Sequence, residues 1–304
     1  MSREGENVLK KINEFMEQNV DENMTKEEAD ELIQTFISQY NDNIPDMVTE
    51  KTARTSDDYY ELAEMAEDNA QALKYAKKAV RLDPDNIDAK VMVAEITIAD
   101  PVDMLKKYEE LMTQGRELMD KKGFAKEECI GDYWQIIETR PFMRLCNNYM
   151  ELLIDCGMMR KAIAEGQEMI RLNESDNIGI RYVLAHLYAY LEDEQGALAL
   201  HEQYEKSEET QMLLPLSVLY YKLGKFDKAE EYLLALAKIN KDTKKFVRGV
   251  VNDSLDKYIS QMNQMGYQPF SIEEFMIEMM ENTFLFEAAS SYFYWAEKIL
   301  KKKK

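Results

Sequence analysis

The residues of this chain best suited to hold a partner group are Arg144, Asn147, Asn148 and Glu151. Steps of three and four place them on one side of a predicted helix. With Gly157 as the turn after that helix and Ala162 as a small packing residue of the next, Cys146, Tyr149, Met150 and Leu153 point inward. Arg144, Asn147, Asn148 and Glu151 then fall on the open inner face. A guanidinium and an amide there can hold a carboxylate or a peptide backbone through charge-assisted and amide hydrogen bonds. The formal net charge is −20, so a cation on an open face stands out and points to an acidic or C-terminal group of a partner. The competing expectation is that Glu151 or Glu138 neutralises Arg144.

A second constellation is Trp134, Glu138, Arg140 and Pro141, in the segment GDYWQIIETRP. It reads as a structural knot, with Trp134 packed ahead of the helix that Pro141 opens and Glu138 paired with an Arg. The alternative is a ligand contact at the inner rim. Other chemistry has little to build on. His186 and His201 each sit mid-helix among apolar residues with no second ligand at metal spacing, so both are expected to be structural. Cys129, Cys146 and Cys156 form no CxxC pair and no even disulfide framework. No phosphate-binding glycine loop, nucleophile elbow or HExxH occurs. Asp and Glu total 58, so carboxylate pairs arise by chance and mark solvated helix faces. No catalytic residue, cofactor or metal is expected, and the chain does not read as an enzyme.

The totals narrow the class further. A pI near 4.7 disfavours nucleic acid and anionic membrane surfaces as partners. The opening MSREGENVLKK lacks the apolar core of a secretory signal, and no run of apolar residues is long enough to span a bilayer. A reducing cytoplasm is therefore expected. Hydrophobic residues make up 45 %, enough for a continuous core, while only 11 Gly and 6 Pro favour helices joined by short turns. Met262, Met265, Met276, Met279 and Met280 could form an adaptable apolar patch, but their helical spacing favours a core role. The lysines at 301–304 read as a frayed end that suits a helix C-terminus.

These residues must be positioned by helices, and the helices recur. Ala72, Ala76 and Ala79 are echoed by Ala162, Gly166 and Met169, and again by Ala229, Leu233 and Leu236. Ala197, His201 and Tyr204 form a fainter copy. The period is near 34 residues, the mark of tetratricopeptide-type helix pairs. Predicted helices cover 57–66, 70–82, 87–99, 102–122, 141–156, 158–172, 178–191, 196–204, 212–223 and 226–239. Beyond them, 246–265 and 275–300 read as two longer helices, the second opened by a capping box of Ser271 and Glu274. Two amphipathic helices precede the repeat. The second is opened by a capping box of Thr25 and Glu28 and carries Ala29, Leu32, Ile33, Phe36, Ile37 and Tyr40 on one face. The expected fold is all-α: a right-handed solenoid of antiparallel helix pairs over 56–245, N-terminal amphipathic helices over 1–55, and a C-terminal helical cap over 246–304.

Residues from about 57 to 240 resemble a bacterial tetratricopeptide repeat family related to the suppressor-of-tumorigenicity-7 domain. Three blocks carry the resemblance: Trp134 with Glu138-Thr139-Arg140-Pro141-Phe142-Met143-Arg144; Ala162-Ile163-Ala164 leading to Glu168-Met169-Ile170-Arg171-Leu172-Asn173; and Asp176-Asn177-Ile178-Gly179-Ile180-Arg181-Tyr182. Glu174 stands where relatives usually have Pro, which implies a looser turn. The resemblance implies an all-α repeat fold and no activity. The leading functional expectation is a non-enzymatic scaffold that binds a peptide or protein segment in the concave groove of the repeats. The alternative is a homo-oligomer assembled through the Met- and aromatic-rich C-terminal helices around 284–295.

Overall fold

The computed structural model describes residues 3–19, 24–42, 48–259, 262 and 267–302. Helix accounts for 74 % of the chain, and no strand occurs among the described residues. The chain divides into two compact units, one of Met1–Leu152 with Arg171–Ser175, the other of Leu153–Ile170 with Asp176–Lys304.

The first unit contains α1 (Arg3–Asn19), α2 (Lys26–Asp42), α3 (Ser56–Glu64), α4 (Asn69–Leu82), α5 (Ile87–Thr97), α6 (Pro101–Lys121) and most of α7 (Arg140–Asp155). Its helix starts follow from side-chain capping. Asp68 accepts from the Gln71 N–H, Asn86 from Ala89, and Asp100 from Val102 and Asp103, with Pro101 in the first turn. Thr25 and Glu28 form the expected reciprocal box, and Thr55 and Asp58 form another that composition did not reveal. α1 and α2 pack together, with the rings of Phe15 and Phe36 5.1 Å apart. Ala76, Ala79 and Ala89 are fully buried with Tyr59 and Tyr75 in the core of α3–α5. Small side chains let these helices approach closely. At Gly115 in α6 a Cβ atom would stand 2.6 Å from the Phe142 ring of α7, so any larger residue there forces the ring to shift.

The second unit contains most of α8 (Met159–Leu172), then α9 (Ile180–Leu191), α10 (Glu194–Gln203), α11 (Thr210–Lys222), α12 (Phe226–Ile239), α13 (Thr243–Val251), α14 (Asp256–Ile259), α15 (Ile272–Glu281), α16 (Thr283–Ala288) and α17 (Ser290–Lys302). Gly224 follows α11 with φ +70°, and Gly157 follows α7 with φ +71°; both adopt the left-handed conformation common just past a helix end. The core gathers aromatic rings from distant segments. Phe246 stacks on Phe275 at 4.4 Å and meets Phe293 edge-on at 5.9 Å. The Tyr292 hydroxyl lies 2.8 Å from Ser217 Oγ in α11.

Three expectations for the C-terminal region are corrected. The helix expected over 246–265 stops at Val251, where Asp253 takes a positive φ of 50°; Met265 lies outside the described residues. The helix expected over 275–300 is three helices, broken at Asn282 and Ala289. The Asn282 side chain bonds the Glu278 carbonyl and competes with the helix backbone. Ser271 does cap α15, through the Glu273 N–H, but Glu274 does not return to it. Glu274 instead accepts from the Phe270 N–H and the Thr210 hydroxyl, which ties α15 to the start of α11. The second N-terminal helix is expected to end at Asn41 to Pro45; α2 runs to Asp42, and the rest of that turn, the side chain of Tyr40 and the final two lysines lie outside the described residues.

Candidate functional site

The face expected to be open at Arg144 is closed from within the chain. Arg144 is half-buried and bonds Asp88 of α5 through two parallel contacts, Nε to Oδ1 at 3.0 Å and Nη2 to Oδ2 at 2.7 Å. Its Nη1 reaches both carboxylate oxygens of Glu6 in α1, at 2.9 and 3.0 Å. Burial works against the charge of Arg144, but the bonds and charges of Asp88 and Glu6 outweigh it and hold the guanidinium above its ordinary pKa. Neither Glu151 nor Glu138 is the counter-ion. Asn147 donates to Glu151 at 2.7 Å, and Asn148 to Glu95 of α5 at 3.3 Å. The partners Glu6 and Asp88 lie 138 and 56 residues away in sequence, so no local spacing could announce them.

In the Trp134 segment the expected Glu138–Arg pair does not form, and Arg140 takes other partners. Arg140 is buried, donates Nε to the Trp134 carbonyl at 2.7 Å and lies 5.3 Å from that indole ring. Its counter-ion is Glu6 at 3.5 Å, whereas Glu138 is exposed and makes no ion pair among the described residues. Pro141 follows Arg140 in the first turn of α7. The segment is pinned to the chain after α8 by Gly131 N–H to Leu172 O at 3.1 Å and Glu174 N–H to Gly131 O at 2.8 Å.

α5 carries two working faces. Asp88 and Glu95, seven residues apart, hold Arg144 and Asn148. The opposite side, with Lys90, Val93, Ala94, Thr97 and Ile98, faces a cavity of about 490 Å³. α4 contributes Lys77, Val80 and Arg81 to it, and α6 contributes Lys107, Leu111 and Gln114. Four cations line this cavity and no carboxylate does, in a chain where acidic residues outnumber basic ones by 58 to 38. Lys107 is paired with Glu110 at 2.9 Å, and Lys90 donates to Gln114 at 3.0 Å. Lys77 and Arg81 are exposed and make no ion pair among the described residues. A second cavity of about 400 Å³ continues along α6 to Lys121 and shares Lys90, Leu111 and Gln114 with the first. The two form a groove with an aliphatic floor; its rim is cationic along the first cavity, whereas Asp85 and Glu117 line the second, where Lys121 is paired with Asp85 at 3.3 Å.

Sequence reasoning missed this groove because its cations come from three helices and none is adjacent to another. The signal within reach was Lys77 and Arg81, four apart on one face of α4 beside half-buried Val80. The methionines divide between roles: Met276 is core, while Met280 is exposed. Of the aromatic segment proposed for self-assembly, Phe286, Tyr292 and Phe293 are spent on the interior of their own unit.

The histidines are structural. His201 meets the Ser207 carbonyl at 3.2 Å, and His186 the Tyr182 carbonyl at 2.8 Å. Among the described residues no group of three His, Cys, Asp or Glu side chains is placed to hold a metal ion, and no helix is long and apolar enough to cross a membrane. No protein-family model matches this sequence, and no curated protein is significantly similar to it.

Proposed function

We propose that this protein is a non-enzymatic scaffold that receives a segment of a partner protein in the groove of α4, α5 and α6. The observation that carries the reading is the groove itself: aliphatic side chains of Val80, Val93 and Ile98 remain only half-buried in a cavity that the fold leaves open. Apolar surface of this kind gains free energy when a partner covers it. The expected contact moves from Arg144, whose charge is already matched, to the cation-rimmed groove.

The reading includes a tetratricopeptide-type solenoid of the bacterial family named above. It is supported by the fate of the repeated positions. Ala72, Ala76, Ala79, Ala162, Gly166, Met169, Ala197, His201, Ala229, Leu233 and Leu236 are all buried, and only Tyr204 is half-exposed. Burial at one spacing in each helix is what stacked pairs require. A reducing, cytoplasmic setting suits three cysteines of which none forms a disulfide among the described residues.

The test is a display selection of peptides on the full chain, followed by Thr97→Arg. Thr97 is exposed and lines the groove, so an arginine there fills the space without adding a negative charge or touching the core. Selected peptides should lose binding to this variant. Unchanged binding by all of them would show that the groove is not the receiving surface.

A further inference from the structure

We infer that the segment received by the groove is an acidic, amphipathic α-helix of a partner protein. The inference rests on the groove reading above and adds the chemistry and conformation of the occupant.

Charge decides the first part. The walls carry Lys77 and Arg81 on α4 and Lys107 on α6, with Lys90 at the floor, and no carboxylate lines the first cavity. The rest of the surface belongs to a chain of net charge −20, which repels polyanions at long range. A nucleic acid would feel that repulsion along its whole backbone, and the groove offers no aromatic ring for a base to stack on. A short segment with a few carboxylates meets the local cations without the same long-range cost. Lys77 and Arg81 stand four residues apart, so they present two positive groups along one edge.

Conformation follows from the lining. An extended peptide must find partners for its backbone N–H and C=O groups. The floor is Val80, Val93, Ala94, Ile98 and Leu111, and no sheet edge exists among the described residues to supply a ladder. A helix bonds its own backbone and presents apolar side chains at i, i+3, i+4 and i+7 to such a floor. The length is also suitable. From Lys107 to Lys121 the groove follows α6 for about 21 Å, the rise of about 14 helical residues. That is room for about four turns, with the occupant's carboxylates confined to the first cavity beside Lys77, Arg81 and Lys107, because Asp85 and Glu117 line the stretch toward Lys121.

The test uses the full chain and three capped, fluorescent peptides of about 15 residues. One is an acidic helix with leucines on one face and glutamates on the other. The second has lysine for every glutamate. The third keeps the acidic composition but carries two central prolines that forbid a helix. Binding is read by anisotropy for the wild-type chain, for Thr97→Arg, and for Lys77→Glu combined with Arg81→Glu. The exposed positions of these changes leave the core untouched, and circular dichroism checks the helicity. The acidic helix should bind the wild-type chain, and the double charge reversal should weaken it roughly tenfold, with a milder loss on raising salt. The lysine and proline peptides should fail. If the lysine or proline peptide binds as well as the acidic helix, and Thr97→Arg abolishes that binding, the groove stands and the stated chemistry is wrong. If no peptide binds in a way that Thr97→Arg removes, the groove reading falls and takes this inference with it. If an oligonucleotide binds through Lys77 and Arg81 more tightly than the acidic helix, the occupant is of another class and the inference is overturned.

Discussion

The Nε2 atom of His186 in α9 lies 3.1 Å from Oε1 of Glu278 in α15, and neither side chain is exposed at all. His186 Nδ1 faces the Tyr182 carbonyl at 2.8 Å, an acceptor, so that nitrogen carries the hydrogen. Nε2 then presents a lone pair, and a charged Glu278 would oppose it. Burial pushes His186 down to about 4 and pushes Glu278 well above its usual range, with the charges of Glu274 and Glu281 adding to the latter. Both shifts favour the neutral forms, with the proton of the pair on Glu278. The pair is at hydrogen-bond distance but poorly aligned, and Nε2 and both Glu278 oxygens lack a well-formed bond. The proton removes a buried charge without forming a strong bond.

This arrangement makes stability depend on pH in a definite way. Above pH 4.5 the unfolded chain releases the Glu278 proton while the folded chain keeps it, so stability falls as pH rises from there toward the raised folded value. His186 acts in the opposite sense: below pH 6.5 the unfolded chain takes up a proton that the folded chain refuses until about 4, so stability also falls as pH drops through that window. Glu278→Gln keeps a donor for His186 and cannot ionise. It should raise stability by about 1 kcal/mol or more at pH 8 and flatten the alkaline limb in urea titrations. An alkaline limb identical to that of the wild-type chain would show that Glu278 is not the group responsible.

The Arg144 network should respond asymmetrically to loss of its members. Arg144→Ala leaves Asp88 and Glu6 facing each other in a partly buried site, at a cost of about 3 kcal/mol or more. Glu6→Gln retains an acceptor for Arg144 and Arg140, leaves Asp88 in place and should cost about 1 kcal/mol. Urea unfolding measures both, and limited proteolysis of α1 should quicken in each. Equal, small effects would mean that the α1 contact contributes nothing to folding.

Gly224→Ala and Gly115→Ala should both destabilise, for different reasons. Gly224 has φ +70° and empty space around its Cα, so the cost is backbone strain of about 1 kcal/mol. Gly115 is helical, and its added Cβ would strike the Phe142 ring, an overpacking cost of about 1–3 kcal/mol. Phe142→Leu should therefore rescue part of the Gly115 defect and none of the Gly224 defect. Additive losses in the Gly115 pair would contradict the steric account.

Much of this architecture is legible in the sequence because it is local. The small residues at four- and seven-residue steps locate a buried stripe on α4, α8 and α12, and Gly157 and Gly224 mark left-handed helix ends, since periodicity and punctuation are properties of neighbouring residues. The site was less legible. Arg144 looks like an open cation until Glu6 and Asp88 arrive from 138 and 56 residues away. The groove needs α4, α5 and α6 side by side before Lys77, Arg81 and Lys107 become one rim. The C-terminal breaks at Asn282 and Ala289 escaped notice because continuous apolar spacing runs through both. At Asn282 the side chain bonds the Glu278 carbonyl in competition with the helix backbone, which apolar spacing does not register.

The closing contribution of α17 sets an order of events on the ribosome. Ser217 receives its partner Tyr292 only after 75 further residues are made, and Phe246 its partner Phe293 after about 50, waits of roughly 2–15 s at ordinary elongation rates. Every residue of the first unit precedes 176, so that unit can finish while the second still shows the apolar sides of α11–α13 to solvent. Until α17 is made, the nascent chain stands at a stage in which Ser217 and Phe246 lack these partners. A ribosome paused between residues 251 and 290 would hold it there, which makes this interval the one in which a holdase would be most needed.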